Sequence, residues 1–133
     1  MSDAKIPGDL FYTTEHEWAR IEGDRLTVGI TAFAVEQLGD VTLVQIDVKA
    51  GADVVPGKAF GTIDSVKTTS ELFAPVAGKV VEVNGTLDAN PERVNEDCYG
   101  EGWMVVIQAA DRGDLAKLLG PDAYRAHVDA SAH

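Results

Sequence analysis

The sequence predicts a mainly β fold: a flattened barrel or sandwich of two antiparallel sheets, with short peripheral and C-terminal helices. Three observations carry that prediction. Short runs rich in Val, Ile and Thr recur along the chain, each closed by a Gly, Pro, Asn or Asp turn signal. One strand-turn unit occurs twice, as Val54-Val55-Pro56-Gly57-Lys58 and as Pro75-Val76-Ala77-Gly78-Lys79, almost symmetrically about Lys67. Helical spacing of apolar residues is confined to positions 31–38 and to the segment after Asp111.

Residues 1–10 read as a loose lead-in, with Pro7-Gly8 as punctuation. From 11 to 30 the pattern is strand-like and breaks at Glu22-Gly23-Asp24, a hairpin turn. Leu26, Val28 and Ile30 alternate with Thr27 and Gly29, as in a strand with one buried face. An extended strand through 15–17 points His16 away from Glu15 and Glu17, and Glu15 reads as a solvated strand edge. Positions 31–38 suit one or two helical turns, with Gly39 as their stop. Strands are expected at 41–48, on both sides of Lys67 and at 79–83, with a loop at 50–57.

The stretch 85–102 reads as a long polar connection containing Pro91, Asn95 and Gly100, of a length that is functional or held down by its own contacts. A strand at 103–108 would put Trp103, Val105 and Ile107 on one face, and Trp18 and Trp103 read as core anchors. Asp111 can cap a helix whose apolar stripe is Leu115, Leu118 and Leu119, ended by Gly120-Pro121. A last helix at 122–128 follows. With 133 residues, 45% of them apolar, one domain spanning 1–133 is the natural reading. Its β core is about 11–108 and its helical segment about 111–128.

Charge and composition exclude several functions. The formal net charge of −11 would repel a phosphate backbone, so nucleic acid is not an expected partner; basic protein surfaces are. No apolar run approaches membrane-spanning length, and the N-terminus shows neither a secretory nor a transit pattern, so the expected location is the cytoplasm. His16, His127 and His133 are scattered, no Cys/His cluster has ligand spacing, and no metal site is expected. The Gly-Lys pairs lack the glycine spacing of a phosphate loop, there is no Gly-x-Ser-x-Gly elbow, and Ser65 has no base beside it. These residues provide no catalytic machinery, so the chain reads as a non-enzyme. The lone Cys98 cannot form an intramolecular disulfide, and Glu96 and Asp97 before it disfavour a thiolate, so it should be chemically idle.

The polar midpoint of the repeated unit is Gly61-Thr-Ile-Asp-Ser-Val-Lys-Thr-Thr-Ser70. Its β-branched residues favour extended backbone, which places Lys67 at or near the exposed tip of a hairpin. A lysine there suits acylation, because its amine stands on a flexible four-carbon stem while the strands hold its base. Taken alone, these residues leave a plain solvated turn lysine as the commoner case.

Asp64-Ser65-Val66-Lys67-Thr68 resembles the Glu-Ser-Val-Lys-Ala lipoylation motif of the glycine cleavage system H proteins. His16-Glu17-Trp18, Val28-Gly29-Ile30-Thr31, Leu38-Gly39-Asp40, Pro75-Val76-Ala77-Gly78, Val81-Glu82-Val83-Asn84, Val94-Asn95-Glu96-Asp97, Tyr99-Gly100-Glu101-Gly102-Trp103 and Leu118-Leu119-Gly120 resemble further segments of that family in family order. The resemblance runs over roughly residues 8–128.

It implies a lipoyl/biotinyl-carrier-like barrel-sandwich hybrid with lipoate joined by an amide to Lys67. Asp64, Ser65 and Val66 would be the recognition context, and Glu17 and Glu71 would face the arm's resting cleft. It implies a monomeric carrier that takes an aminomethyl group from a pyridoxal-phosphate glycine decarboxylase to a tetrahydrofolate-dependent aminomethyltransferase. A dihydrolipoyl dehydrogenase then reoxidises the carrier, and a lipoylating enzyme first modifies it. A relay passing lipoate to other enzymes and an unmodified binding module are the alternatives. Biotin carriage fits less well, because no Met-Lys-Met surrounds Lys67. Two departures stand out: Asp64 where the family more often has Glu, and Cys98 where proline is usual.

Overall fold

The computed structural model describes residues 5–131. Its strands form two open antiparallel sheets, the sandwich form of the expected architecture. One sheet has six strands and the other three. The six-stranded sheet takes β1 (Phe11–Tyr12), β2 (Glu17–Glu22), β3 (Arg25–Ile30), β5 (Asp53–Val54), β8 (Gly78–Val83) and β9 (Val105–Ala109), in the spatial order β1-β2-β3-β9-β8-β5. The smaller sheet takes β4 (Val41–Ile46), β6 (Ala59–Ser65) and β7 (Thr69–Phe73), in the order β4-β6-β7.

The alternation read from the sequence is the one that packs. Leu26 and Val28 of β3, Val80 of β8 and Val105 and Ile107 of β9 meet Val44, Ile63 and Leu72 of the smaller sheet in one buried cluster. Burial of that apolar area is the main source of stability, at about 25 cal/mol per Å² removed from water. Gly29 interrupts the pattern for a packing reason. A Cβ there would lie 2.8 Å from the indole ring of Trp18, which is fully buried on the adjacent strand.

The two copies of the strand-turn unit abut in space: β5 pairs with β8 in the register Asp53↔Lys79 and Val54↔Gly78. The expected loop 50–57 therefore contains a two-residue strand. Its Asp53 also forms an exposed ion pair with Lys79 at 3.2 Å.

Three expectations for the helical parts need correction. The connection 85–102 holds two short helices, α2 (Thr86–Ala89) and α3 (Arg93–Glu96), each anchored by one buried residue, Leu87 or Val94. Asn84 organises it, accepting from the Thr86 N–H and hydroxyl and donating to the Glu101 and Trp103 carbonyls. The stripe of Leu115, Leu118 and Leu119 does not form one helix. Asp111 does cap as expected, accepting the Gly113 N–H at 2.8 Å, but the turn it starts is a 3-10 helix over Arg112–Lys117. Leu115 and Leu118 pack on the main core, while Leu119 turns to a second cluster and pairs its backbone with Tyr12, so the chain must bend between them. Gly120-Pro121 then opens a helix as well as closing one. Pro121 is the first residue of α4 (Pro121–Ser131), where a missing N–H costs nothing.

The second cluster gathers Leu10, Tyr12, Trp18, Phe33, Tyr124 and Val128. Tyr12 and Tyr124 stack there with ring centroids 4.6 Å apart. Trp18 is a core anchor as expected, whereas Trp103 lies just before β9 and is only half-buried. Helix α1 (Ala32–Leu38) is capped by the Thr31 hydroxyl, which accepts from the Ala34 N–H, and Gly39 ends it. Among the described residues, no helix is long and apolar enough to cross a membrane.

Candidate functional site

Strands β6 and β7 pair in the register Ile63↔Ser70 and Asp64↔Thr69, leaving Val66, Lys67 and Thr68 as the tip. Ser65 builds this turn. Its hydroxyl oxygen accepts the N–H groups of Lys67 and Thr68, both at 3.1 Å, and its own N–H donates to the Thr68 carbonyl at 2.8 Å. Asp64 sits one residue back and accepts the Thr69 hydroxyl at 2.9 Å, a cross-strand bond that a shorter carboxylate side chain suits. Val66 is 66% exposed, an unusual place for a valine. Lys67 is exposed, and no ion pair or hydrogen bond engages its amine among the described residues.

The tip leans on the end of α1. The Val66 N–H donates to the Asp40 carbonyl at 3.0 Å, and the Lys67 stem passes over Gly39. A side chain at position 39 would bring its Cβ within 3.2 Å of Lys67 Cε, and φ there is +78°, a conformation that glycine adopts at little cost.

Beside the tip lies a cleft of about 440 Å³. One wall is β7, from Thr69 to Glu71; another is α1, through Phe33, Gln37 and Leu38; the third is the turn into β2, from Glu15 to Glu17. Glu17 and Glu71, 54 positions apart in sequence, thus line one cleft. They are not equivalent. Glu71 is exposed, whereas Glu17 is 2% exposed. One Glu17 carboxyl oxygen accepts the Thr13 hydroxyl at 2.8 Å and the other the Phe73 N–H at 3.5 Å. Burial pushes the Glu17 carboxyl up to about 8, with the Thr13 and Phe73 bonds only partly opposing it. Near neutral pH it is therefore largely protonated. Asp64 and Val66 do not line this cleft.

The expectation for His16 fails. It is not in a strand but in the turn before β2, at φ +68°, where few non-glycine residues sit. Its ring lies 5.4 Å from that of His127, so these two histidines are not scattered; His133 lies outside the described residues. His16 Nδ1 and the Tyr124 hydroxyl are 2.8 Å apart, and that hydroxyl is 2.7 Å from Thr31 Oγ1. Burial, then His127, lowers the His16 pKa. Glu15 is solvated as expected, but at the cleft mouth within this turn and not on a strand edge. His16, Gln37, Thr68, Thr69 and Ser70 also line the cleft; the sequence offers no local signal that assigns any of them to it. Among the described residues, no group of three or more His, Cys, Asp or Glu could hold a metal ion. Cys98 is half-buried, and burial together with Asp97 pushes its thiol up to about 11.

The arrangement can present a primary amine to another protein while offering a sheltered, partly apolar cleft with carboxyl groups to whatever that amine carries. Comparison with known proteins points the same way. The family model described as "Glycine cleavage H-protein" matches residues 10–131. A glycine cleavage system H protein of Rubrobacter xylanophilus is 51% identical over 126 residues, which is 95% of this chain and 97% of that protein. One of Bacteroides fragilis is 52% identical over 125 residues, 94% of this chain and 98% of the relative. The crystal structure of a glycine cleavage system H protein from Mycobacterium marinum superposes with a TM-score of 0.82 at 40% identity, over 91% of this chain and 97% of that one. The chain belongs to the glycine cleavage H-protein family.

Proposed function

We propose that this chain is the lipoate-bearing carrier of the glycine cleavage system, modified on Lys67. The observation that carries the reading is the exposed, unpaired Lys67 amine on a braced hairpin tip, beside a cleft holding Glu17 and Glu71. The residues fit lipoate. The amine is open to a modifying enzyme, and Asp64, Ser65 and Val66 give that enzyme an ordered turn to read. The cleft lies within the ~300–1,000 Å³ range of small-molecule sites, and Ile30, Phe33 and Leu38 give it an apolar wall for an aliphatic chain.

When attached, lipoate supplies the two sulfurs that bear the reacting group and the electrons between enzymes. The chain itself positions and shelters. Ser65 fixes the backbone from which the Lys67 stem departs. Glu17, held protonated by burial, can pass its proton to a neutral primary amine that enters the cleft, leaving an ammonium–carboxylate hydrogen bond worth roughly 1.5–3 kcal/mol. Glu71, on the exposed rim, contributes less because water screens it. The partners on this reading are glycine decarboxylase, the tetrahydrofolate-dependent aminomethyltransferase, dihydrolipoyl dehydrogenase and a lipoylating enzyme. Tethering raises the effective concentration of the carried group at each of them.

The test is glycine–bicarbonate exchange by glycine decarboxylase, with this chain as the sole carrier. Exchange that depends on the lipoylated chain and vanishes in Lys67→Arg supports a shuttle. A lipoylated chain that supports no exchange but passes lipoate to other enzymes would replace the shuttle with a relay.

A further inference from the structure

The segment Val94-Asn95-Glu96-Asp97 has no part in the carrier reading above, yet it reaches the lysine hairpin through one side chain. Asn95 Oδ1 accepts the Val41 N–H at 2.8 Å, and its Nδ2 donates to the Gly39 carbonyl at 2.9 Å. The carboxamide thus straddles Asp40. The Asp40 carbonyl is the acceptor for the Val66 N–H, one residue before Lys67. Residues 39 and 40 lie between the end of α1 and the start of β4, outside both elements. A carboxamide carries a donor and an acceptor on one planar group, so it can serve a carbonyl and an N–H together.

We propose that Asn95 is a positioning residue for Lys67, clamping residues 39–41 so that the shelf beneath the hairpin tip keeps its place. The chain of contacts runs from α3 through Asn95 to Gly39 and Val41, and from Asp40 to Val66. Lys67 lies over Gly39 at the end of that chain. Asn95 is itself exposed and 28 positions from Lys67, so it touches neither the amine nor the cleft. Its effect is on where the lysine stands when another enzyme docks. The inference rests on the reading of Lys67 as the modified residue.

The test compares Asn95→Ala and Asn95→Asp with Asn84→Ala. Asn84 is the control: its carboxamide, though buried, likewise bridges backbone groups, but these are at Thr86, Glu101 and Trp103, away from the tip. Two readouts are taken on unmodified protein. The first is amide hydrogen exchange at Val66. The second is the rate of lipoate attachment by a lipoate–protein ligase as carrier concentration is varied.

Loss of the clamp should speed Val66 exchange about fivefold to tenfold, the worth of a hydrogen bond. It should also raise KM for the carrier with kcat little changed. Asn95→Asp, which keeps the acceptor and loses the donor, should fall between wild type and Asn95→Ala, and it carries the test if Asn95→Ala does not fold. Asn84→Ala should leave Val66 exchange and KM near wild type even where it lowers overall stability. Unchanged Val66 exchange in both Asn95 variants overturns the proposal, and so does an equal change in Asn84→Ala. A wild-type chain that accepts no lipoate would sink the Lys67 reading separately, and the exchange data would then decide the clamp alone.

Discussion

Replacing Glu17 by Gln should leave stability nearly unchanged at pH 5 and raise it by several kcal/mol at pH 8. A carboxyl raised from its ordinary 4.5 to about 8 holds its proton more tightly in the folded chain than in the unfolded one. Below about 4.5 both states are protonated and the group costs nothing. Between there and about 8 the unfolded chain has released the proton and the folded chain has not, so stability falls as pH rises. At about 1.4 kcal/mol per pH unit, the fall between pH 5 and pH 8 comes to about 3.5 kcal/mol. The side chain is buried, so solvent screening does little to reduce that figure.

Glutamine keeps the shape and an acceptor for the Thr13 hydroxyl but does not titrate. Turning its amide toward the Phe73 N–H adds a cost, of about 1 kcal/mol or less, that does not vary with pH. Urea unfolding of unmodified protein, followed by fluorescence of the buried Trp18, measures the difference at pH 5, 6, 7 and 8. Glu17→Gln should gain about 3.5 kcal/mol on wild type across that range. A difference constant to within about 1 kcal/mol would mean that Glu17 ionises as an ordinary carboxylate in the folded chain. The account of a carboxyl held neutral in the cleft would then lose its basis.

Gly39→Ala should cost about 1–3 kcal/mol, because an L side chain is strained at φ +78° and its Cβ crowds Lys67 Cε, and it should also slow lipoate attachment; thermal unfolding and a ligase assay check both effects. Gly29→Ala should be more damaging, since its methyl would meet the Trp18 ring at 2.8 Å with no room to yield, and lost near-ultraviolet circular dichroism from the indole would report it. Cys98 should react with iodoacetamide at pH 8 about a hundredfold more slowly than an ordinary thiol, because raising its pKa from 9 to about 11 removes some two decades of thiolate. Cys98→Ser should leave lipoylation and turnover intact, and a large loss of turnover in a folded Cys98→Ser would show the thiol is not idle.

What the sequence disclosed was local. The alternation at Leu26, Val28 and Ile30, the turn at Gly23 and the hairpin around Lys67 are written in consecutive residues and pack as read. The strand-turn repeat was legible as a pattern, and its two copies proved to be hydrogen-bonded neighbours. Features fixed by distant partners were not legible. Leu115, Leu118 and Leu119 have helical spacing, but two different cores divide them. Helices α2 and α3 are four residues long with one buried anchor each, too short for periodicity to register.

The left-handed turn at His16 carries no glycine or asparagine to announce it, so a strand was the natural expectation. At the site, the roles of Lys67, Glu17 and Glu71 are legible only through the family resemblance, and the fold brings the two glutamates to one cleft. That Glu17 is protonated there follows only from its burial by elements remote in sequence. Asn95 is equally hidden, because its partners, Gly39 and Val41, are more than 50 positions away.

The most direct test of the central claim is peptide mapping by mass spectrometry of the protein purified from its native cell. The account predicts one lipoyl amide, on the peptide containing Lys67 and on no other lysine, with the modified form more acidic by one charge. Lipoate on a different lysine, or full carrier turnover by Lys67→Arg, would contradict it.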